Sequence, residues 1–206
     1  VTLPDGSYLH YAYDAAHRLT GMTDSLGNRI AYTLDAMGNR TREQAFDPDN
    51  QLAQTRSRVY SPLNRLAQEI GAQSQTISYA YDNQGNVLSV ADPLNRVTAN
   101  AYDALNRLVR VTDPAAGQTQ YAYNGLDQLT AVTDPRSLTT GYTHDALGNL
   151  ARQQSPDTGA TASTYDDAGN LLTQTDAKGQ TTSYAYDALN RLSGIRFADG
   201  SAHAYA

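Results

Sequence analysis

Along this chain polar and apolar residues alternate in short runs, and the runs repeat. Thr119, Tyr121 and Tyr123 fall on one side of an extended backbone, with Gln120 and Ala122 on the other. That period of two marks a half-buried strand. A turn-like stretch, Gly125-Leu126-Asp127-Gln128, follows. A second run, Leu129-Thr130-Ala131-Val132-Thr133, is rich in β-branched residues and ends at Asp134-Pro135. Proline lacks the ladder N–H, so the strand is expected to stop there; Pro93, Pro114 and Pro156 recur at the equivalent place. One unit is therefore a β-hairpin of 21 residues.

The unit recurs nine times. Its lead position falls at 13, 34, 60, 81, 102, 123, 144, 165 and 186, with spacings of 21 except for one of 26. A fixed period of this kind means an array of one supersecondary unit, each leaning on its neighbours. The residue after the lead is Asp in seven units (Asp14, Asp35, Asp82, Asp103, Asp145, Asp166 and Asp187), with Ser61 and Asn124 in the others. All can accept a hydrogen bond from the backbone two residues on, as the first residue of a type I turn does. Three residues later stand only Gly, Asn, Asp and His: His17, Gly38, Asn64, Gly85, Asn106, Asp127, Gly148, Gly169 and Asn190. These types tolerate positive φ, so the turn should be type I closed by a left-handed residue and a G1 bulge. A second turn near Asp-Pro or Lys178-Gly179 leads into the next unit. The fold class is all-β, an antiparallel strip of repeated β-hairpins. Nine units give roughly eighteen strands, or about 85 Å of strip at about 4.8 Å per strand, and sheet twist should curl it.

Tyrosine is the unusual component. Of 15, fourteen lie in the lead column or the column two before it; only Tyr8 falls outside. Their periodicity reads foremost as a packing ladder of cross-strand pairs. The alternative is a binding face, since a tyrosine ring offers both an apolar surface and a hydroxyl. The five extra residues between leads 34 and 60 predict a longer loop around 41–58, holding Phe46, either as a tolerated surface insertion or as a partner contact.

Charge narrows the partners. With 15 basic and 21 acidic residues the net charge is −6, which argues against nucleic acid. Cysteine is absent, excluding disulfides and thiolate zinc. No run approaches the 18 apolar residues of a membrane span. The start, Val1-Thr2-Leu3-Pro4, has no basic or apolar leader features. Both ends fall within a repeat, so the array is expected to be truncated at each end.

Candidate chemistry is thin. There is no Gly-x-Ser-x-Gly, phosphate-cradling loop or His-Glu-x-x-His. His144 stands in the lead column, His203 two before Tyr205, His17 at the positive-φ turn position and His10 near the start. None is expected to be catalytic or to bind metal. The Asp ladder could suggest paired carboxylates, yet one Asp per hairpin serving its own turn accounts for it. Asp47-x-Asp49-x-Gln51 lacks the glycine and glutamate of a calcium loop, with Leu52 and Arg58 in those places. The expectation is no catalytic residue, no cofactor and no metal: not an enzyme.

Tyr165-Asp166-Asp167-Ala168-Gly169-Asn170-Leu171, Tyr102-Asp103-Ala104-Leu105-Asn106-Arg107-Leu108 and the following Thr112-Asp113-Pro114 resemble the YD repeats of bacterial Rhs proteins. Similar repeats occur in insecticidal toxin-complex components, bacterial wall-associated toxins and animal teneurins. The resemblance covers essentially the whole chain. It implies a strip spiralling into a hollow β-shell that encloses a C-terminal toxin, in a protein secreted or delivered at the cell surface. The implied partners are the rest of a longer Rhs-type chain and its toxin cargo. Adhesive members imply a second reading, an extracellular module binding carbohydrate or a cell-surface protein through the tyrosine-rich face. A third is a bare assembly scaffold pairing through open strand edges. The self-cleaving protease of the family, near an Asp-Pro-x-Gly-Leu motif, is not matched: Asp47-Pro48, Asp92-Pro93, Asp113-Pro114 and Asp134-Pro135 all lack the Gly-Leu continuation.

Overall fold

The structure, a computed structural model, describes residues 1–2 and 4–205; Leu3 and Ala206, at the ends discussed above, lie outside the described residues. The described chain is all-β and contains no helix. It divides into two compact units, Val1–Asn100 and Ala101–Ala206.

In the first unit run β1 (Leu9–Tyr13), β2 (Leu19–Asp24), β3 (Arg29–Leu34), β4 (Arg40–Phe46), β5 (Leu52–Tyr60), β6 (Leu66–Ile70), β7 (Thr76–Tyr81), β8 (Val87–Ala91) and the start of β9 (Val97–Tyr102). Each pairs antiparallel with the next in chain order. The second unit holds β10 (Leu108–Thr112), β11 (Gln118–Tyr123), β12 (Leu129–Thr133), β13 (Thr139–His144), β14 (Leu150–Ser155), β15 (Gly159–Tyr165), β16 (Leu171–Thr175), β17 (Thr181–Tyr186), β18 (Leu192–Arg196) and β19 (Ala202–Ala204), paired the same way.

The turn column behaves as its residue types require. All nine positions have positive φ, from 58° at Asn190 to 102° at Gly85. The Asp-Pro segments, expected simply to stop a strand, build the same turn. Asn95 N–H donates to Asp92 O at 2.9 Å and Asp92 N–H to Arg96 O at 3.0 Å. Pro93 is then the first central residue, where its fixed φ suits a type I turn. Most second-row turns thus match the lead turns, with Ser74, Ala116 and Ser137 among their left-handed residues; the turn at Pro156 differs, with Ser155 paired to Gly159 and the positive φ at Gly159.

Register explains a spacing that plain alternation does not. Tyr121 pairs with Val132 and Tyr123 with Leu129, with a shift between Ala122 and Tyr123. Leu129 and Val132 are three apart and would fall on opposite faces of a regular strand. The extra residue of a bulge returns both to the tyrosine face. The same shift recurs at Ala12/Tyr13, Ala80/Tyr81, Thr164/Tyr165 and Ala185/Tyr186.

The two faces differ in bulk. In the first unit Tyr11, Tyr32 and Tyr79 share a face with Met22, Ile30 and Ile77, while paired Ala12 and Gly21, with Ala31 beside them, lie opposite. In the second unit Tyr121, Tyr142 and Tyr184 share theirs with Val132 and Ile195, and Ala122, Ala131, Gly141 and Ala185 take the other. Among the described residues no apolar side chain larger than glycine is buried. Within each unit the described strands form one layer, each contacting only its neighbours in chain order, unlike the two-layer core of an ordinary domain.

The five extra residues do not form the expected longer loop. They lengthen β4 and β5 to 7 and 9 residues, closed by the usual turn with Asn50 N–H donating to Asp47 O at 3.0 Å. Added residues in a paired hairpin satisfy their own backbone groups, which a bare loop would leave to water. Phe46 is occupied within the chain: the Arg29 guanidinium lies 3.9 Å over its ring and also donates to Asn50 Oδ1 at 2.8 Å.

Candidate functional site

The repeated chemistry lies in the turns and in the tyrosine columns. At Asp145 one carboxylate oxygen, Oδ1, accepts the N–H groups of Leu147 and Asn149, both at 2.9 Å, and Oδ2 accepts Asn149 Nδ2 at 2.9 Å. Asp103 repeats this with Leu105 N, Arg107 N and Arg107 Nε at 2.9, 3.0 and 2.8 Å. Asp92 in the second row does so with Leu94 and Arg96. Each carboxylate thus satisfies backbone donors that its own turn would leave to solvent.

These donors favour the ionised form. The Asn149 side-chain amide, then its backbone N–H, hold Asp145 below the ordinary carboxylate range. At Asp103 the backbone N–H of Arg107 is the larger cause, followed by its side chain. Asp14, Asp35, Asp82, Asp166 and Asp187 shift the same way. A general acid for glycoside cleavage needs the opposite shift, so the Asp ladder serves turn formation.

Turns of the lead row are also tied sideways. Arg18 Nη1 donates to Asp35 O at 3.0 Å, and Arg65 Nη2 to Asn83 O at 3.1 Å. Arg107 Nη1 donates to Asn124 O at 3.1 Å and Asp127 Oδ1 at 2.7 Å. In other units an asparagine takes the place of the arginine, as where Asn170 Nδ2 donates to Asn190 Oδ1 at 3.0 Å.

The lead tyrosines reach back along the array. Tyr81, Tyr123 and Tyr165 donate their hydroxyls to the carbonyls of Leu66, Leu108 and Leu150, fifteen residues earlier, at 2.9, 2.9 and 3.1 Å. Each acceptor opens the strand after a lead turn; Leu66 and Leu150 lie beside a ladder interruption, where a carbonyl lacks a regular cross-strand donor. Arg65 and Arg107 lie 5.7 and 4.9 Å from the Tyr81 and Tyr123 ring centroids. The tyrosine face is therefore a packing and tethering surface, and these hydroxyls are spent internally. The columns were legible in the sequence; the acceptor carbonyls were not.

The histidines do not converge. His17 holds its turn at φ 59°, His10 pairs with Thr23 and His144 with Leu150. His203 pairs with Ile195, its ring 5.7 Å edge-on to Phe197. Among the described residues no group of three His, Asp or Glu side chains is placed to hold a metal ion. No helix there is long and apolar enough to cross a membrane.

The fold matches known proteins. The crystal structure of TcdB2-TccC3-TEV superposes with a TM-score of 0.73 at 14% identity, over 92% of this chain and 11% of that one. The Tc holotoxin pore of Photorhabdus luminescens gives 0.70 at 13%, over 93% and 14%. At these identities the likeness shows the fold, and this chain spans only about a tenth to a seventh of those chains. No curated protein sequence matches. The RHS Repeat family matches residues 1–29 and the Teneurin YD-shell family residues 54–206. Hairpins of constant period, turns closed by aspartate and hydroxyl-tethered tyrosines thus coincide with a sequence match over most of the chain, which belongs to the Rhs/YD-repeat family as a YD-shell segment.

Proposed function

We propose that this chain is a non-enzymatic wall segment of an Rhs/YD-repeat shell that encloses and carries a C-terminal toxin in a longer protein secreted or delivered outside the cell. The observation that carries the reading is the single-layer sheet: two faces of unequal bulk, neither covered, with neighbouring hairpins locked together. Such a sheet separates two spaces and builds no reaction centre of its own. One solved structure that shares the fold is by its name a Tc holotoxin pore, which supports the cargo. The adhesive reading is weaker, because Tyr81, Tyr123 and Tyr165 commit their hydroxyls to the chain itself.

The test is protease protection in the full-length protein. The gene is expected to continue past Ala206 into further repeats and an unrelated terminal domain. Added protease should leave that domain uncut until denaturant opens the shell. A terminal domain cleaved as fast before opening as after it, or a stop codon directly after Ala206, refutes the proposal.

A further inference from the structure

We propose that Asn124–Gly125 is a self-modifying site, at which the folded turn converts asparagine into the aspartate that most other lead turns already carry. Asn124-Gly125 is the chain's single Asn-Gly dipeptide, at a position occupied by Asp in seven of nine units. Asparagine followed by glycine is open to attack by the next peptide nitrogen. A solvent base takes the Gly125 N–H proton, the nitrogen bonds to Asn124 Cγ, and Nδ2 leaves as ammonia, closing a succinimide. Water then opens the ring. Cleavage of the new Cγ–N bond gives aspartate, and cleavage of the backbone bond gives isoaspartate. The net change is one water consumed and one ammonia released, with no oxidant or cofactor.

Two features of the turn direct this chemistry. Gly125 is exposed, and a Cβ built there would meet nothing within 4 Å, so solvent reaches the turn at this residue. Asn124 Oδ1 accepts the backbone N–H groups of Leu126 at 2.9 Å and Gln128 at 3.1 Å. That pair forms a cradle like an oxyanion hole, aimed at the oxygen on which charge develops when Cγ is attacked. It favours ring closure at Cγ, and then favours water at Cγ over the backbone carbonyl, which yields aspartate. The product has a ready template, since Asp103 Oδ1 accepts Leu105 N and Arg107 N at 2.9 and 3.0 Å in the neighbouring lead turn. Isoaspartate would insert a methylene into the main chain and carry the carboxylate out of that cradle.

The experiment incubates the intact chain at mildly alkaline pH beside a synthetic peptide of residues 119–133. Both are mapped by mass spectrometry with fragmentation that separates aspartate from isoaspartate. Removing one donor from such a site costs about 10²-fold in rate or more, so an aspartate-to-isoaspartate ratio at least about tenfold above the peptide's is expected in the folded chain. Gly125→Ala should slow conversion several-fold by shielding the nitrogen. N124D, the authentic product, should fold with an unchanged thermal transition. An Asn124 that keeps its amide while the peptide converts, a folded-state ratio equal to the peptide's, or a Gly125→Ala rate equal to the parent's would each overturn the assignment.

Discussion

Replacing Tyr123 by phenylalanine isolates one hydrogen bond. The ring stays, so its contact with the Arg107 guanidinium at 4.9 Å persists, and only the hydroxyl that donates to Leu108 O at 2.9 Å is removed. An intramolecular hydrogen bond contributes about 1 kcal/mol net, and a carbonyl left wholly dry would cost up to about 3 kcal/mol. Tyr123 is only half-buried, so water reaches the vacated acceptor and the lower figure applies. A loss of about 1 kcal/mol multiplies local opening by about fivefold. In a repeat array stability is a sum of unit and neighbour contributions, so the readout must be local: amide hydrogen exchange across β10 to β12. Tyr121→Phe is the control, because that tyrosine shares the face and, among the described residues, its hydroxyl makes no hydrogen bond. Exchange in β10 unchanged by Tyr123→Phe, or accelerated equally by Tyr121→Phe, would refute the tether.

Ala116 sits at φ 66°, where a Cβ costs about 1–2 kcal/mol, partly offset by glycine's greater freedom when unfolded. Ala116→Gly is therefore expected to stabilise by about 0.5–1 kcal/mol in urea melts, and no gain would show that the turn carries no strain. Gly21 is buried, and a Cβ there would stand 2.9 Å from Ile30 O; Gly21→Ala should cost about 1–3 kcal/mol by overpacking. Gly141 has nothing within 4 Å, so Gly141→Ala should be neutral or mildly stabilising, and equal melts for the two variants would contradict the close packing at Gly21. Acid should loosen the turns late. The carboxylates of Asp103, Asp145, Asp166 and Asp187 are depressed by their turn donors. Their contribution is therefore complete above the unfolded-state value of about 3.9 and is lost as pH falls through the lower folded value. Circular dichroism should hold steady from about pH 7 to 5 and fall only below about 4; strand signal lost near about pH 6 would mean that other groups govern acid stability.

The strip of hairpins was legible because its signals are local. A positive-φ position admits few residue types, so one column of nine Gly, Asn, Asp and His residues announced the lead turns, and all nine have positive φ. The aspartate that opens seven of them needed only a donor two to four residues away. Alternation placed the tyrosine pairs on one face for the same reason. Where local chemistry is ambiguous, residue type does not reveal the backbone. Ala116, Ser74 and Ser137 do not advertise a left-handed backbone, so the second row's turn type was hidden. The excess between leads 34 and 60 was countable, but whether it lengthens a loop or two strands depends on pairing partners.

Register is the physical reason for the remainder. Whether Leu129 and Val132 share the tyrosine face turns on one extra residue opposite Ala122 and Tyr123. Which carbonyl receives the Tyr123 hydroxyl depends on where the preceding hairpin, fifteen residues back, places Leu108. Hairpin period, turn chemistry and facing columns are encoded within a few residues of themselves. Hydroxyl acceptors, turn-to-turn arginine ties and the uncovered faces follow from how one hairpin lies against the next, a relation that backbone pairing over fifteen to twenty residues sets and that residue type alone does not express.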